Sequence, residues 1–223
     1  MTLLQDIKNA KHVVIEFDIE YLASASALYT YILQLHKKVS LLCIEEIDNR
    51  FSFLPWFQKI KTSGYSSADL KLKLNISAVD LYKLFEENSI KLNQKMATSF
   101  YAGLLVETDG FKNSSVDGMT FAMAKQLVDA KAEYKVCTKL ILNTKSLAYL
   151  RLKSLMLKNM LLKENATIVT MSISDDDLTA SGSKLDDAYE ILQDGLTLPH
   201  IEEAILIKKD NKEILKRIKK EYS

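Results

Sequence analysis

The feature that most restricts this chain lies near its start. His12 to Phe17 is a short apolar run whose Val13-Val14-Ile15 centre is β-branched and continuous, the pattern of a strand buried on both faces. From Leu22 the apolar residues fall at Leu22, Ala25, Leu28, Tyr29, Ile32 and Leu35, one stripe of a helix. Lys37-Lys38 then precede a second apolar run, Val39 to Ile44. Strand, helix and strand of about thirty residues make a βαβ unit. A parallel sheet with helices on its faces is the architecture that buries such a unit, so the predicted fold class is α/β.

Composition enters as a set of exclusions. With 48% apolar and 26% charged residues, a chain of 223 residues can bury a sizeable core, and disordered and fibrous classes are excluded. The balance of 30 Lys plus Arg against 29 Asp plus Glu gives a net charge of +1 and no global field to gather nucleic acid or anionic lipid. Only six glycines occur and the closest two, Gly103 and Gly110, are seven residues apart, so every G-x-G or Walker-type phosphate cradle is absent. Cys43 and Cys137 show no zinc or disulfide spacing and are expected to be buried apolar residues of a cytoplasmic protein. No apolar stretch approaches the ~18 residues of a membrane span, and no membrane insertion is expected.

Further along, Glu45 to Ile76 reads as a loop and short helical turn in which Phe51, Phe53, Trp56 and Phe57 surround Pro55 and dock on the sheet edge. Ser77 stands three residues before Asp80 as an N-cap, ahead of a helix through Leu81, Leu84 and Phe85 that ends at Glu86-Glu87-Asn88. Asn93 caps another helix through Leu104, and helical patterns resume over 117–130 and 133–142. Ser146 to Leu162 is a leucine-rich helix with Leu147, Leu150, Ser154, Leu157 and Leu161 on one face. A strand over 167–173 follows, then a short helix capped by Ser174 with Asp177 at its third position and Gly182 beyond its end. A helix over 184–193 and a strand over 204–208 precede a tail, Lys208 to Glu221, with a local excess of four positive charges. Ile214, Leu215 and Ile218 make an amphipathic helix the favoured form of this tail, with nucleic-acid binding left open and not favoured.

Two segments carry a resemblance to a known family. Val14-Ile15-Glu16-Phe17-Asp18-Ile19-Glu20-Tyr21-Leu22-Ala23-Ser24 is similar to the first metal-binding loop of the DHH phosphoesterases, the RecJ-like and nano-RNase-like enzymes, which reads approximately H-x-x-P-D-x-D-x-x-G-S. Ser24 is kept, Asp18 and Glu20 fall at the two aspartates, and Val14 replaces the histidine. Tyr101-Ala102-Gly103-Leu104-Leu105-Val106-Glu107-Thr108-Asp109-Gly110-Phe111-Lys112 resembles the family's Y-A-G-I-x-x-D-T-x-x-F-R, with Glu107 at the metal-binding aspartate. The helix from Ser146 is similar to the family's connector. The resemblance covers most of the chain. It implies a DHH-like lobe with a parallel sheet flanked by helices over 1–144, then the connector helix and a small, truncated α+β accessory lobe over 145–223.

The departures from the pattern shape the functional expectation. No Asp-His-His occurs, His12, His36 and His200 are isolated, and the 32 residues between Ile44 and Ser77 contain Asp48 and Asp69 but no histidine. The glycine-rich G-G-G-H turn of active members is not found in these 223 residues. Two-metal hydrolysis needs several hard ligands around two ions ~3.5 to 4 Å apart, and Asp18, Glu20 and Glu107 supply three carboxylates at most. The expectation is a catalytically inactive homologue acting through a protein partner or a second copy of itself, with Phe51, Phe53, Trp56 and Phe57 as the contact region. No cofactor is expected, and weak Mn2+ or Mg2+ binding at Asp18, Glu20 and Glu107 would be a vestige. The alternative is a residual metal-dependent phosphodiesterase or nucleotide-binding protein for short oligonucleotides or cyclic dinucleotides. Asp175-Asp176-Asp177 is read as a helix start favoured by its dipole rather than as a metal site. A Cys137–His36 nucleophile pair has nothing in the sequence to place it together.

Overall fold

A computed structural model describes residues 3–64 and 67–220; Met1 and Glu221, which the sequence reading touches, lie outside the described residues. The chain folds into two compact units, Met1–Thr144 and Lys145–Ser223.

In the first unit the expected βαβ element is present as β1 (His12–Phe17), α2 (Leu22–Gln34) and β2 (Lys38–Leu42), preceded by a short helix α1 (Leu3–Asn9). β1 pairs parallel with β2, Val13 opposite Val39, and β2 pairs parallel with a two-residue strand, β3 (Ile60–Lys61). On the other side of β1 lies a strand the sequence reading took as loop, β4 (Leu70–Leu74), with Leu70 opposite Val13 and Leu74 opposite Phe17. Its Leu-Lys-Leu-Lys-Leu alternation is the period-2 signal of a strand with one buried face, and its lysines are exposed while Leu74 is buried. The sheet is therefore four-stranded and wholly parallel, ordered β3-β2-β1-β4.

Val13, Ile15 and Phe17 of β1, with Val39 and Leu41 of β2, join one core with the helices that follow. Those are α3 (Ala78–Glu87), α4 (Gln94–Glu107), α5 (Gly118–Asp129) and α6 (Tyr134–Cys137), the last running on as a π-helical turn, Thr138–Leu142. Phe85 and Phe100 meet edge to face at 5.4 Å in the middle of this core. Within the Phe51–Phe57 segment Phe51, Phe53 and Trp56 pack against this core, and Trp56 docks on α2. Trp56 lies 5.2 Å from the Tyr29 ring and its indole N–H donates to Thr30 Oγ1 at 2.8 Å.

The second unit is an α+β layer of its own. α7 (Leu147–Lys158) leads into β5 (Leu161–Lys163), β6 (Ile168–Ile173), α8 (Asp175–Ser181), α9 (Leu185–Leu192), β7 (Glu203–Lys208) and β8 (Ile214–Lys219). The sheet order is β5-β6-β7-β8, parallel only between β6 and β7, as a crossover through two helices requires. Tyr149, Leu152 and Met156 of α7 pack with Met171, Ile191 and Leu206. Two expectations are corrected here. The leucine-rich helix stops at Lys158, and its last leucines form edge strand β5. The basic tail is strand β8, not an amphipathic helix. It returns antiparallel beside β7 after a turn in which Lys212 has φ of 58°, with Ile218 opposite Ala204 and Arg217 bonded to Glu203 at 3.0 Å. Three apolar residues in six fit either period, and the Asp210-Asn211 turn signal decides for a hairpin. Among the described residues no helix is long and apolar enough to cross a membrane.

Candidate functional site

In an open parallel sheet, ligands bind outside the carboxyl ends of the strands where strand order reverses. Here β1 has β2 on one side and β4 on the other, so that place is the end of β1 and β4. β1 runs out into Asp18 and a 3-10 turn, Ile19–Tyr21, while β4 runs into Ser77 and α3. Asp18 and Glu20 are both exposed. A third carboxylate that the sequence reading passed over, Glu45 beyond β2, accepts from the Ile19 amide at 2.5 Å and holds this turn.

Glu107 reaches the same region from the end of α4, and what it does there is specific. The first amides of a helix have no partner within it. Glu107 accepts the Ala78 amide on Oε1 at 2.6 Å and the Val79 amide on Oε2 at 3.3 Å, while Ser77 Oγ accepts the third, from Asp80, at 3.0 Å. The start of α3 is thus closed by a side chain from another helix. The end of α4 is itself braced: Thr108 Oγ1 donates to the Leu104 carbonyl at 2.6 Å, and Asn113 Nδ2 donates to the Glu107 carbonyl at 2.8 Å. Burial pushes the Glu107 carboxyl above the usual glutamate range, more than the Ala78 and Val79 amides pull it down.

Gly103 is what lets the two helices come this close. A Cβ there would stand 2.2 Å from the Ala78 Cβ and 3.0 Å from the Ala23 Cβ, so the glycine of the Tyr101-Ala102-Gly103 motif is required by packing.

Two hollows flank Glu107. The larger, about 360 Å3, is lined by the first turns of α3 and α5 and by Tyr82, Met123 and Gln126. The smaller, about 50 Å3, is lined by Glu20, Phe51, Gly103 and Glu107. Two helix N-termini open on the larger hollow, a geometry that would ordinarily attract a phosphate. Both are already filled by carboxylates, Glu107 on α3 and Asp117 on α5, where Asp117 accepts from the Thr120 amide at 2.8 Å. Asp80 and Glu86 add further negative charge against Lys83. An anion entering this hollow meets occupied amides and like charge.

The residues present do not fit a metal pair. Glu20 and Glu107 line one hollow, but the Glu107 oxygens face amide donors, and among the described residues no three His, Cys, Asp or Glu side chains converge on one point. The other sequence candidates have structural places. Asp175 and Asp177 pair with Lys208 at 2.9 Å and Lys209 at 2.6 Å, and Asp177 closes the α8 capping box. Burial pushes Cys137 up to about 12, with its thiol 3.8 Å from the Thr98 carbonyl, which removes it as a nucleophile near neutral pH. His12 is buried between the Ser67 carbonyl at 2.7 Å and Ser40 Oγ at 3.2 Å. Phe51, Phe53, Trp56 and Phe57 are all half-buried.

No family model matches the sequence, and no curated protein matches it. Among solved structures, an exopolyphosphatase-related protein from Bacteroides fragilis superimposes with a TM-score of 0.73 at 14% identity, over 95% of this chain and 79% of that one. A protein of Methanococcus jannaschii described as a family II inorganic pyrophosphatase gives a TM-score of 0.35 at 14% identity, over 89% of this chain and 84% of that one. The fold comparison rests on the first alone, and it agrees with the expected α/β architecture of a parallel sheet flanked by helices and a second, smaller α+β unit.

Proposed function

We propose that this chain keeps the phosphoesterase fold without metal-dependent phosphodiester hydrolysis, and that it works through contacts with another protein. The observation that carries this reading is the placement of Glu107. At the position where the resemblance puts a metal-binding aspartate, the carboxylate instead accepts two amides of α3, a bond set that a metal ion would have to displace. The acidic, amide-occupied hollow beside it supports the same conclusion from the side of the substrate, because phosphoryl transfer needs donors and cations where negative charge develops. The half-buried Phe51, Phe53, Trp56 and Phe57 belong to this reading as part of the contact surface.

The test is a hydrolysis assay with bis-p-nitrophenyl phosphate and di-adenylate in Mn2+, alongside calorimetric Mn2+ titration of the same protein. The expected outcome is no turnover above buffer and no micromolar site. Turnover that disappears in Asp18→Asn or Glu20→Gln, both exposed positions whose replacement leaves the core intact, would establish the residual phosphodiesterase instead.

A further inference from the structure

α7 carries apolar residues on two opposite sides. Tyr149, Leu152 and Met156 face the second core and are buried. Leu147, Leu150 and Leu157 point the other way and are 64%, 54% and 41% exposed. With Ser154 between them, the helical positions Leu147, Leu150 and Leu157 repeat at intervals of three, four and three residues, which is the a/d seam of a helix that packs lengthwise against another helix. A lone exposed leucine needs no explanation, whereas three on one line of a helix form a continuous apolar strip.

The charges around the strip say what covers it. From Lys145 to Lys163 the chain has five cations, Lys145, Arg151, Lys153, Lys158 and Lys163, and no acid, although the whole chain is nearly neutral. Lys145 and Lys153 are paired with Glu190 and Asp194, but Arg151, Lys158 and Lys163 are exposed and make no ion pair among the described residues. At 100° per residue, Arg151 and Lys158 border one side of the strip and Lys153 the other. A second copy of α7 laid on this face, parallel or antiparallel, would set cations against cations, which opposes self-association. The strip also lacks the Trp, Tyr or Phe that anchor helices lying in a membrane interface.

We infer that the exposed face of α7 docks an amphipathic helix of a different protein, with leucine-like residues along its seam and Asp or Glu on both flanks. This supplies a partner chemistry for the protein-contact half of the proposed function and does not depend on the catalytic half. Turnover in the phosphodiester assay would overturn the inactive reading and leave the docking face standing; loss of docking would leave the hydrolysis result unchanged.

The experiment uses the full chain and a synthetic helical peptide of three heptads, leucine at a and d and glutamate at e and g, read by fluorescence anisotropy. Saturable binding is expected, at least ten-fold tighter than for the same peptide with lysine at e and g, and weakening as salt rises. Leu150→Ser with Leu157→Ser should weaken it at least ten-fold, while Ile214→Ser, at an exposed apolar position elsewhere in the same unit, should not. Arg151→Glu with Lys158→Glu should reverse the preference between the two peptides, and circular dichroism of each variant should match the parent. Absence of saturable binding, equal loss in the Ile214 variant, or no charge preference overturns the inference. So does a dimer of the chain that the leucine variants dissociate, which would name a second copy as the occupant. Leucine-dependent binding to phosphatidylglycerol vesicles without peptide binding would name a membrane surface.

Discussion

α3 and α8 begin with the same local pattern, a serine followed three positions later by aspartate, and they are closed in different ways. At α8 the pattern completes itself: Ser174 Oγ accepts the Asp177 amide at 3.1 Å and Asp177 Oδ2 accepts the Ser174 amide at 2.8 Å. At α3 only half of it forms. Ser77 accepts the Asp80 amide, but the Asp80 carboxylate turns outward to Lys83 at 3.4 Å, and two amides are left for Glu107, which is 29 residues from Ala78. One helix start is sufficient in its own turn of chain, and the other depends on where a separate helix ends. The residue that the motif offers as a metal ligand is thereby part of the tertiary structure.

The sharpest way to break this comparison is to separate α4 from α3. Gly103→Ala places a methyl 2.2 Å from the Ala78 Cβ, both on helix backbones that cannot turn aside. The expected cost is about 3 kcal/mol, at the upper end of overpacking effects. Hydrogen exchange of the α3 amides or urea unfolding would measure it, and Ala78→Gly in the same protein should recover part of the loss. Stability unchanged by Gly103→Ala would mean that the two helices are not held at this distance.

A smaller effect is expected from removing the caps themselves. Glu107→Ala leaves the two α3 amides without their acceptor in a partly buried place, and about 2 kcal/mol of protection should be lost there. Asp177→Ala should cost about 1 kcal/mol, since Ser174 still accepts its amide. The Glu107 difference should be the same with EDTA as with Mn2+. A deficit that exists only when Mn2+ is supplied would return Glu107 to the role of a ligand.

What could be read in advance follows the same division. The βαβ unit, the caps Ser77, Asn93 and Ser174, and the stop at Gly182 are encoded within a few residues, and each is found in the structure. β4 is legible in its Leu-Lys-Leu-Lys-Leu alternation, but it is short and follows the proline-centred aromatic stretch that reads as loop. The hairpin of β8 was obscured by three apolar residues that fit a helix as well as a strand. The roles of Gly103 and Glu107 were out of reach, because both depend on a pairing of α4 with α3 that no local period encodes. Their conspicuous place in a recognisable motif pointed to chemistry, while the distances point to packing.

Protonation gives the two caps opposite signatures, at an expected size below that of deletion. Burial raises Glu107, so the folded protein holds that proton more tightly than the unfolded chain. The proton-linked part of its contribution to stability is fully present below the ordinary glutamate pKa and is lost as pH rises through the raised folded value. Burial also acts to raise Asp177, but the Lys209 ammonium and the Ser174 amide outweigh it, and the carboxyl is depressed. Its contribution is present above the ordinary aspartate pKa and is lost as pH falls through the folded value. Carbon-13 titration of the side-chain carboxyls should show Glu107 ionising above the ordinary glutamate range and Asp177 below the ordinary aspartate range. Identical ordinary midpoints would remove the contrast.

The smallest expected effect tests the comparison at its finest point, because it changes the same residue at the same position of the same motif. Asp80 and Asp177 are both the third residue of their helices, and local sequence treats them alike. Asp80 is exposed, joined only to an exposed Lys83 one turn on, and such pairs contribute little against the entropy of holding two side chains in water. It retains a favourable position near the positive end of the α3 dipole, but salt and solvent screen that as well. Asp80→Ala should therefore change stability by less than about 0.5 kcal/mol, and that remnant should vanish in 0.5 M salt. Asp177→Ala, by contrast, removes an acceptor from the Ser174 amide and from Lys209, and a hydrogen bond to a backbone donor is not screened away by salt. If Asp80→Ala proved as costly as Asp177→Ala, a capping box at α3 would have to form in solution, with Asp80 turned back onto the Ser77 amide. Glu107 would still hold the Ala78 and Val79 amides, and α3 would then be closed both from its own first turn and from α4.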